Sequence, residues 1–213
     1  MKLLSTIMPY LLDGVKITIL VSAIALVASM LLGMGLTLLL RTGQKAVKRI
    51  IGGYIKLFRN SPFMIQVYLA YNIPSAFGIH PKAIVIGTVI LILYESAYMT
   101  VIYNMGFDAI PKGQEEAAEA FNFSYFDRVR RILLPQVFKV IIPTLTNQLI
   151  LIIKDSSLLS VITVAELSMA ATKCASLTYL PFEVYIIAGI MYWLLNLIIE
   201  FVTGIFRRKY LIF

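Results

Sequence analysis

The sequence is short of the residues that build metal centres, disulfide frameworks and soluble surfaces. Its 213 residues include one cysteine, Cys174, one histidine, His80, and 11 acidic side chains. A single cysteine cannot form a disulfide within the chain, and a single histidine leaves no cluster with metal-ligand spacing. Zinc sites, haem sites and disulfide-stabilised scaffolds are therefore excluded as the basis of the fold.

Apolar residues are abundant instead. Hydrophobic residues make up 60% of the chain, charged residues 14%, and the mean hydropathy is +0.87, which is far more apolar than a soluble domain. The 19 Lys and Arg residues give a net charge of +8, which in a soluble protein would suggest a nucleic-acid partner. Because the apolar residues form runs long enough to cross a bilayer, we expect a membrane protein that binds no nucleic acid.

These runs predict an all-α, polytopic membrane protein with five transmembrane helices. Residues 17–40 carry no charge and would form a helix of about 36 Å, enough for a tilted span. Residues 1–12 are expected to form a short interfacial helix before this span, because they lack the cleavage site of a signal peptide. The other four spans are expected at residues 60–73, 83–107, 140–153 and 182–206.

The fourth predicted span is unusually short. It has only 14 residues before the first charge, so its helix either ends early or carries Lys154 and Asp155 into the membrane. In the first span, small residues four positions apart favour close helix contact, more often within one subunit than between two. These small residues are Ala25, Ser29 and Gly33.

The distribution of basic residues predicts the orientation. Five spans place the termini on opposite sides, and a cytoplasmic C-terminus puts 14 of the 19 basic residues in the cytoplasm, as the positive-inside rule requires. We therefore predict an outside N-terminus and a cytoplasmic C-terminus. The 14 residues are Arg41, Lys45, Lys48, Arg49, Lys56, Arg59, Lys112, Arg128, Arg130, Arg131, Lys139, Arg207, Arg208 and Lys209.

The longest stretch unsuited to lipid, residues 108–131, lies between the third and fourth spans. It predicts a helix over residues 114–121, ended by a left-handed Asn122, and a second helix capped by the S-x-x-D pattern of Ser124 and Asp127. The resulting helix-turn-helix has more apolar side chains than a solvated loop needs, so either its own helix ends or another protein covers them. These side chains are Ala117, Ala118, Ala120, Phe121, Phe123 and Phe126.

The same stretch contains a motif found in known membrane proteins. Glu116-Ala117-Ala118 is followed after three intervening residues by Asn122, and after nine further intervening residues by Ile132, Leu134 and Pro135. This pattern resembles the EAA motif of bacterial ABC importer permeases, E-A-A-x3-G-x9-I-x-L-P. The segments FRNSPFMIQVYLAYN, IPKGQ, LLPQ, IPTLTNQ and KDSSLLSVITVAEL are similar to the polar amino acid uptake branch of that family.

The sequence departs from the family pattern at a few positions. Asn122 replaces the glycine of the motif, and it keeps access to the left-handed conformation while adding a side chain. Val101 and Asn104 stand where relatives often carry Glu and Arg, and Glu95 stands where they usually carry a small or neutral residue. Substrate preference therefore does not transfer directly from the family.

The resemblance implies a type I ABC importer permease fold. The chain would be a single transmembrane permease domain, residues 1–213, whose coupling segment, residues 108–135, docks on a separate dimer of ATP-binding cassette ATPases. The chain has no G-x-x-x-x-G-K-[ST] motif, so ATP and Mg are expected on the ATPase, and the chain itself would bind no cofactor and would not be an enzyme. The residues expected to couple are Glu115, Glu116, Ala117, Ala118, Phe121, Asn122 and Phe123.

The resemblance also implies the other partners and the location. A second permease subunit, identical or different, would complete the pathway, and an extracytoplasmic solute-binding protein would dock on the outer face. The assembly would lie in the bacterial inner (plasma) membrane and import an amino acid, or another small polar solute, by alternating access. An intramembrane hydrolase is disfavoured because the sequence lacks H-E-x-x-H, G-x-S-x-G and a second intramembrane Asp to pair with Asp155, and a passive channel would need no coupling segment.

Polar groups at membrane depth are the candidates for lining the pathway, because each is costly unless paired or hydrated. Glu95 is placed either to meet a substrate ammonium or guanidinium, or to make a structural hydrogen bond. Lys154 and Asp155 either flank a wet cavity that suits the two charges of an amino acid, or lie at the outer interface. The uncharged candidates, each better suited to bonding between helices, are Asn60, Gln66, Tyr98, Asn147 and Gln148.

Overall fold

A computed structural model describes residues 2–211, with side chains described for residues 3–205, and every regular element in that part of the chain is helical. The side chains of Arg207, Arg208 and Lys209, part of the predicted orientation signal, lie outside the described residues. The elements are α1 (Lys2–Arg41), α2 (Lys45–Asn60), α3 (Phe63–Ala76), α4 (Ala83–Asp108), α5 (Lys112–Ala120), α6 (Tyr125–Asp127), a π-helical turn (Arg128–Leu133), α7 (Leu134–Ser156), a 3-10 helix (Ser157–Ile162), α8 (Leu167–Thr178) and α9 (Pro181–Leu211).

Four of the described helical stretches are long and apolar enough to cross a membrane: Leu3–Arg41, Ala83–Asp108, Tyr125–Ile162 and Pro181–Ile205. The span predicted at residues 60–73 is not one continuous helix: α2 ends at Asn60, and α3 begins at Phe63. Ser61 and Pro62 are both extended between α2 and α3, because the residue before a proline is forced out of the helical conformation. At 14 residues, α3 alone measures only about 21 Å.

One predicted boundary is wrong. The expected interfacial helix at residues 1–12 is not separate, since α1 runs unbroken from Lys2 to Arg41. Its first turns are held by tertiary packing, because Ile7 and Leu11 are buried with Cys174 of α8 in a core cluster.

Of the two alternatives for the fourth span, the structure has the longer helix. The helical stretch is continuous from Tyr125 to Ile162, so it extends beyond residues 140–153 at both ends and includes Lys154 and Asp155.

The centre of the fold is α4, which packs on α1 and α7 at glycines. A Cβ atom on Gly33 of α1 would stand 2.6 Å from the Cβ atom of Met99 in α4, and one on Gly106 of α4 would stand 2.4 Å from Ile141 in α7. Because real side chains do not approach this closely, the glycines are required for these contacts. The small residues Ala25 and Ser29 of α1 are fully buried within this same chain.

Candidate functional site

The polar loop between α4 and α7 folds as a compact hairpin, here called the polar hairpin (residues 112–133). Its first arm, α5, ends in a Schellman turn, in which the Asn122 N–H bonds the Glu119 carbonyl at 2.8 Å and the Phe123 N–H bonds the Ala118 carbonyl at 3.1 Å. Asn122 has φ 58°, so the predicted left-handed residue is confirmed. The turn satisfies carbonyls at the end of α5 that would otherwise lack partners.

The second arm is capped as its sequence predicts. Ser124 Oγ accepts the Asp127 N–H at 3.2 Å and donates to the Asp127 carboxylate at 2.9 Å. Across the hairpin, Arg128 pairs with Glu119 at 3.2 Å, and Arg131 pairs with Asp127 at 3.0 Å along the second arm. Both arms are therefore fixed by contacts within a few residues of the turn.

The outer surface of the polar hairpin is aromatic, and no described residue covers it. Phe121 is 80% exposed and Phe126 66%, while Phe123 and Ala117 are also exposed. Ala118 is only 3% exposed, so it packs inside the hairpin and presents no surface of its own. Of the coupling residues predicted from sequence, Glu115, Glu116, Ala117, Phe121, Asn122 and Phe123 are exposed and Ala118 is not.

A second group of polar residues, here called the Glu95 cluster (Glu95, Gln148 and Asp155), joins α4 to α7. Glu95 is fully buried, and its Oε2 accepts a hydrogen bond of 2.6 Å from Gln148 Nε2. The half-buried Asp155 carboxyl lies close enough to Glu95 for the two carboxyl groups to interact. Two ionised carboxylates in such proximity would repel each other.

Aromatic and cationic side chains extend the cluster along α4. The hydroxyls of Tyr94 and Tyr98 are 3.1 Å apart, and the Tyr94 ring lies 4.4 Å from the Phe63 ring at the start of α3. The Arg59 guanidinium of α2 stands 5.1 Å above the Tyr98 ring. Tyr98 is thus placed one helical turn from Glu95, beside the junction of α2 and α3.

The remaining sequence candidates do not join the cluster. Lys154 is exposed and makes no ion pair with Asp155 among the described residues. Gln66 secures the α2–α3 junction through its amide, which donates to the carbonyls of Phe58 and Ser61 at 2.9 and 3.0 Å. Asn60 is exposed where α2 ends.

Asn147 lies on a different surface. It is exposed in a groove of about 250 Å³ between α7 and α9, together with Thr146, Glu200 and Thr203. Asn147 and Gln148 are adjacent, so on a helix they point about 100° apart, and only Gln148 faces α4. Position in sequence alone does not decide which amide reaches Glu95.

A buried carboxyl outside the spans escaped prediction. Glu166 is fully buried at the start of α8, where it accepts the N–H groups of Ser168 and Met169 at 2.9 and 2.8 Å and the Tyr192 hydroxyl at 2.5 Å. Burial raises the pKa of the Glu166 carboxyl, although these donors oppose the shift. These contacts give Glu166 a structural role. The sequence indicates this role only weakly, because Glu is not a favoured N-cap residue.

Comparison with known proteins shows in which family such helical membrane chains occur. A family model described as "Binding-protein-dependent transport system inner membrane component" matches residues 25–212. The chain belongs to this family. It is accordingly the membrane permease subunit of an ABC importer, a multi-pass membrane protein and a transport subunit, whose ATPase is a separate chain and which functions with a second permease.

Relatives cover nearly the whole chain. It is 32% identical over 202 residues to the arginine transport system permease protein ArtQ of Bacillus subtilis, covering 94% of this chain and 92% of the relative. It is 33% identical to the probable glutamine ABC transporter permease protein GlnM of the same organism, covering 87% and 86%. It is 27% identical to the glutamate/aspartate import permease protein GltK of Escherichia coli, covering 95% and 94%.

Solved structures agree with the fold. An amino acid ABC transporter crystallised with histidines matches with a TM-score of 0.89 at 30% identity, covering 97% of this chain and 96% of that one. The MetNI methionine ABC transporter, in inward-facing conformations, matches with a TM-score of 0.78 at 21% identity, covering 95% and 97%, which supports the shared fold alone.

Proposed function

We propose that this chain and a second permease subunit form the translocation pathway of an amino acid importer that works by alternating access. The relatives carry the names of arginine, glutamine and glutamate/aspartate systems, so amino acids are the common class and the side chain varies. In this proposal residues 1–213 are one permease domain of a bacterial inner-membrane protein. ATP and Mg bind the partner ATPase dimer, and this chain binds no cofactor.

One observation carries the proposal: the polar hairpin directly connects the two helices that hold the Glu95 cluster. Glu95 lies on α4, Gln148 and Asp155 lie on α7, and the hairpin is the only link between these helices along the chain. A rigid-body shift of a partner bound to the hairpin would therefore move α4 and α7 together or apart. The Glu95 cluster lies between the helices that such a shift would displace.

The polar hairpin is the proposed docking element for the ATPase. Its arms are fixed by the Schellman turn, the Ser124 cap and the Glu119–Arg128 ion pair, and its exposed aromatic side chains lack a cover in this chain. Ala117, Phe121 and Phe126 would enter a groove on the ATPase, as apolar helix faces do in helix-in-groove recognition. Ala118 instead allows the hairpin to pack closely on itself.

The proposed topology has five crossings. The four long helical stretches supply four, and α2 with α3 supplies a discontinuous fifth, because both helices pack along α4. The N-terminus then lies outside, and the polar hairpin lies in the cytoplasm. A solute-binding protein docks on the opposite, outer face.

Within the pathway, Asp155 is the proposed point of contact with the solute. It is half-buried, so it can meet a solute group, whereas Glu95 is fully buried behind it and paired with Gln148. Glu95 then acts by setting the charge and position of the Asp155 carboxyl. Tyr98 is half-buried on the same side of α4 and is the proposed uncharged neighbour.

Reconstitution tests the proposal directly. The permease complex, its ATPase and its solute-binding protein are placed in liposomes, and uptake of a panel of radiolabelled amino acids is followed with and without ATP. We expect ATP-dependent uptake of one or a few amino acids that requires all components. Uptake without the ATPase would indicate a passive channel, and uptake confined to a solute that is not an amino acid would refute the proposed substrate class.

A further inference from the structure

Helix α2 carries a continuous stripe of positive charge. Its basic residues follow the spacing i, i+3, i+4, i+11 and i+14, which at 3.6 residues per turn falls within about 100° of the helix circumference. All five are exposed, and α2 contains no acidic residue. The members of this α2 stripe are Lys45, Lys48, Arg49, Lys56 and Arg59.

The opposite face of α2 is anchored on α4. Ile51 is buried, and the Tyr54 hydroxyl donates to the Leu93 carbonyl at 2.6 Å and lies 2.5 Å from Ser96 Oγ. These contacts hold α2 in one rotation about its own axis. The α2 stripe therefore lies on the side of α2 away from these contacts, although Lys48 and Arg59 also reach residues of α4.

The α2 stripe extends from the hairpin end of the molecule to beyond the midpoint of α4, which is one of the candidate membrane spans. Near the start of α2, Lys48 lines a cavity of about 600 Å³ with Asn104 and Asp108, at the end of α4. The Tyr54 hydroxyl, by contrast, contacts α4 near its midpoint. Because helical side chains slope toward the helix N-terminus, the Tyr54 backbone lies at least as far from the hairpin end of the molecule as its hydroxyl does. Lys56 follows Tyr54 in α2 and lies farther still from that end.

The α2 stripe is separate from the exposed apolar side of the same helix. Ile50 and Leu57 are 72% and 65% exposed and lie about 120–140° around α2 from Lys45, so they are suited to face lipid. No member of the stripe makes an ion pair with a described residue, and the described interaction of Arg59 is with the Tyr98 ring. Unpaired cations at this depth are stable only where water reaches them.

We propose that the α2 stripe lines a water-filled vestibule on the polar-hairpin side of the pathway, where its positive charge attracts carboxylate-bearing solutes and repels inorganic cations. A cleft lined by charges of one sign concentrates ions of the other sign, and low-dielectric walls strengthen the effect. This inference rests on the proposed function, because the vestibule belongs to the pathway between two permease subunits. The shared chemical group of the solutes is the α-carboxylate.

Thiol-reactivity measurements test the proposal in the assembled transporter. Lys56→Cys and Arg59→Cys are made separately, with Leu57→Cys as a matched control on the lipid-facing side of the same helix. Each complex with its ATPase is placed, without nucleotide, in nanodiscs of neutral lipid, and is treated with a sulfonate-bearing or a trimethylammonium-bearing methanethiosulfonate. The native Cys174 is buried, so the unsubstituted complex supplies the background.

We expect the variants at positions 56 and 59 to react and the control at position 57 to stay at background. Relative to free cysteine, the anionic reagent should react about tenfold faster than the cationic one. Adding Lys48→Gln and Arg49→Gln to Lys56→Cys should reduce this preference several-fold. The vestibule would be refuted if positions 56 and 59 reacted no faster than position 57. Its electrostatic role would be refuted if these positions reacted without preference for the charge of the reagent.

The reactivity measurement can fail or succeed separately from the test of the proposed function. The rates are measured without solute, so a transporter that imported no amino acid would still show reactive, anion-selecting positions. Conversely, amino acid uptake by the unsubstituted complex, combined with unreactive positions 56 and 59, would refute the vestibule and leave the proposed function intact.

Discussion

The polar hairpin and the Glu95 cluster are built in opposite ways. Bonds in the hairpin join residues three to nine positions apart, such as Ser124 with Asp127 and Glu119 with Arg128. The hydrogen bond between Glu95 and Gln148 spans 53 positions and lies in the buried interior. The hairpin is thus a locally determined surface for a partner, whereas the cluster exists only once α4 and α7 are packed together.

This contrast predicts separable effects on coupling and on solute handling. Ala117→Arg should cause the largest loss, near-complete abolition of ATP-driven uptake, because a long cation on the exposed hairpin face cannot enter an apolar groove without desolvation. Uptake and ATP hydrolysis are measured in proteoliposomes. Ala117→Ser, which stays small, is the matched control and should retain uptake. Normal coupled uptake by Ala117→Arg would place the docking surface elsewhere.

Glu95→Gln should lower uptake about tenfold, equivalent to about 1.4 kcal/mol, while leaving the thermal midpoint of the complex unchanged. The new amide oxygen can still accept the Gln148 hydrogen bond, but the side chain at position 95 can no longer ionise or exchange a proton. Thr88→Ser, two turns away on α4, is the control. Unchanged rate and selectivity in Glu95→Gln would remove Glu95 from the pathway and leave it a structural residue.

Asn122→Val should destabilise the hairpin turn by about 1–2 kcal/mol, because a β-branched residue is strained at positive φ. Amide exchange at Phe123, whose N–H closes the turn, should accelerate about tenfold in the intact complex. Asn122→Gly should not accelerate it, since glycine adopts this conformation freely. Equal exchange in both variants would show that tertiary packing, rather than local conformation, holds the turn.

Ser124→Ala should have the smallest effect, a loss of about 1 kcal/mol confined to the second arm of the hairpin. The substitution leaves the Asp127 N–H without its side-chain acceptor. Exchange at Asp127 measures the change, and Ser124→Thr, which keeps the hydroxyl, is its control. If Ser124→Ala also altered solute selectivity, the separation between the hairpin and the Glu95 cluster would fail.

The two regions also differ in how well the sequence predicts them. Asn122 and Ser124 are identified correctly because their roles depend on backbone preferences of single residues and on spacings of three or four. Ala118 is predicted from the sequence as a coupling residue, but its burial is not evident there, since all residues of α5 lie within one polar stretch. Among adjacent residues of α7, the cluster partner Gln148 cannot be separated from Asn147 until the rotation of the helix is known.

Helix boundaries show the same division. The break at Pro62 follows from proline chemistry, but the unbroken course of α1 through Pro9 does not, because burial of Ile7 and Leu11 against α8 holds those turns in place. The end of the fourth span is open in the sequence for a related reason. Its apolar run ends before Lys154, so hydropathy does not decide whether the helix stops there, and the structure continues it through Asp155 to the buried Ser156.

By itself the sequence determined that this protein is an all-helical membrane protein with a capped, punctuated polar hairpin, because hydropathy, caps and turn residues act over a few neighbouring positions. Only the tertiary structure decided that Glu95 meets Gln148 beside Asp155, and that Arg59 of α2 lies over the Tyr98 ring of α4. Those facts depend on the rotation and contact of helices far apart in the chain, which close packing at Gly33 and Gly106 selects.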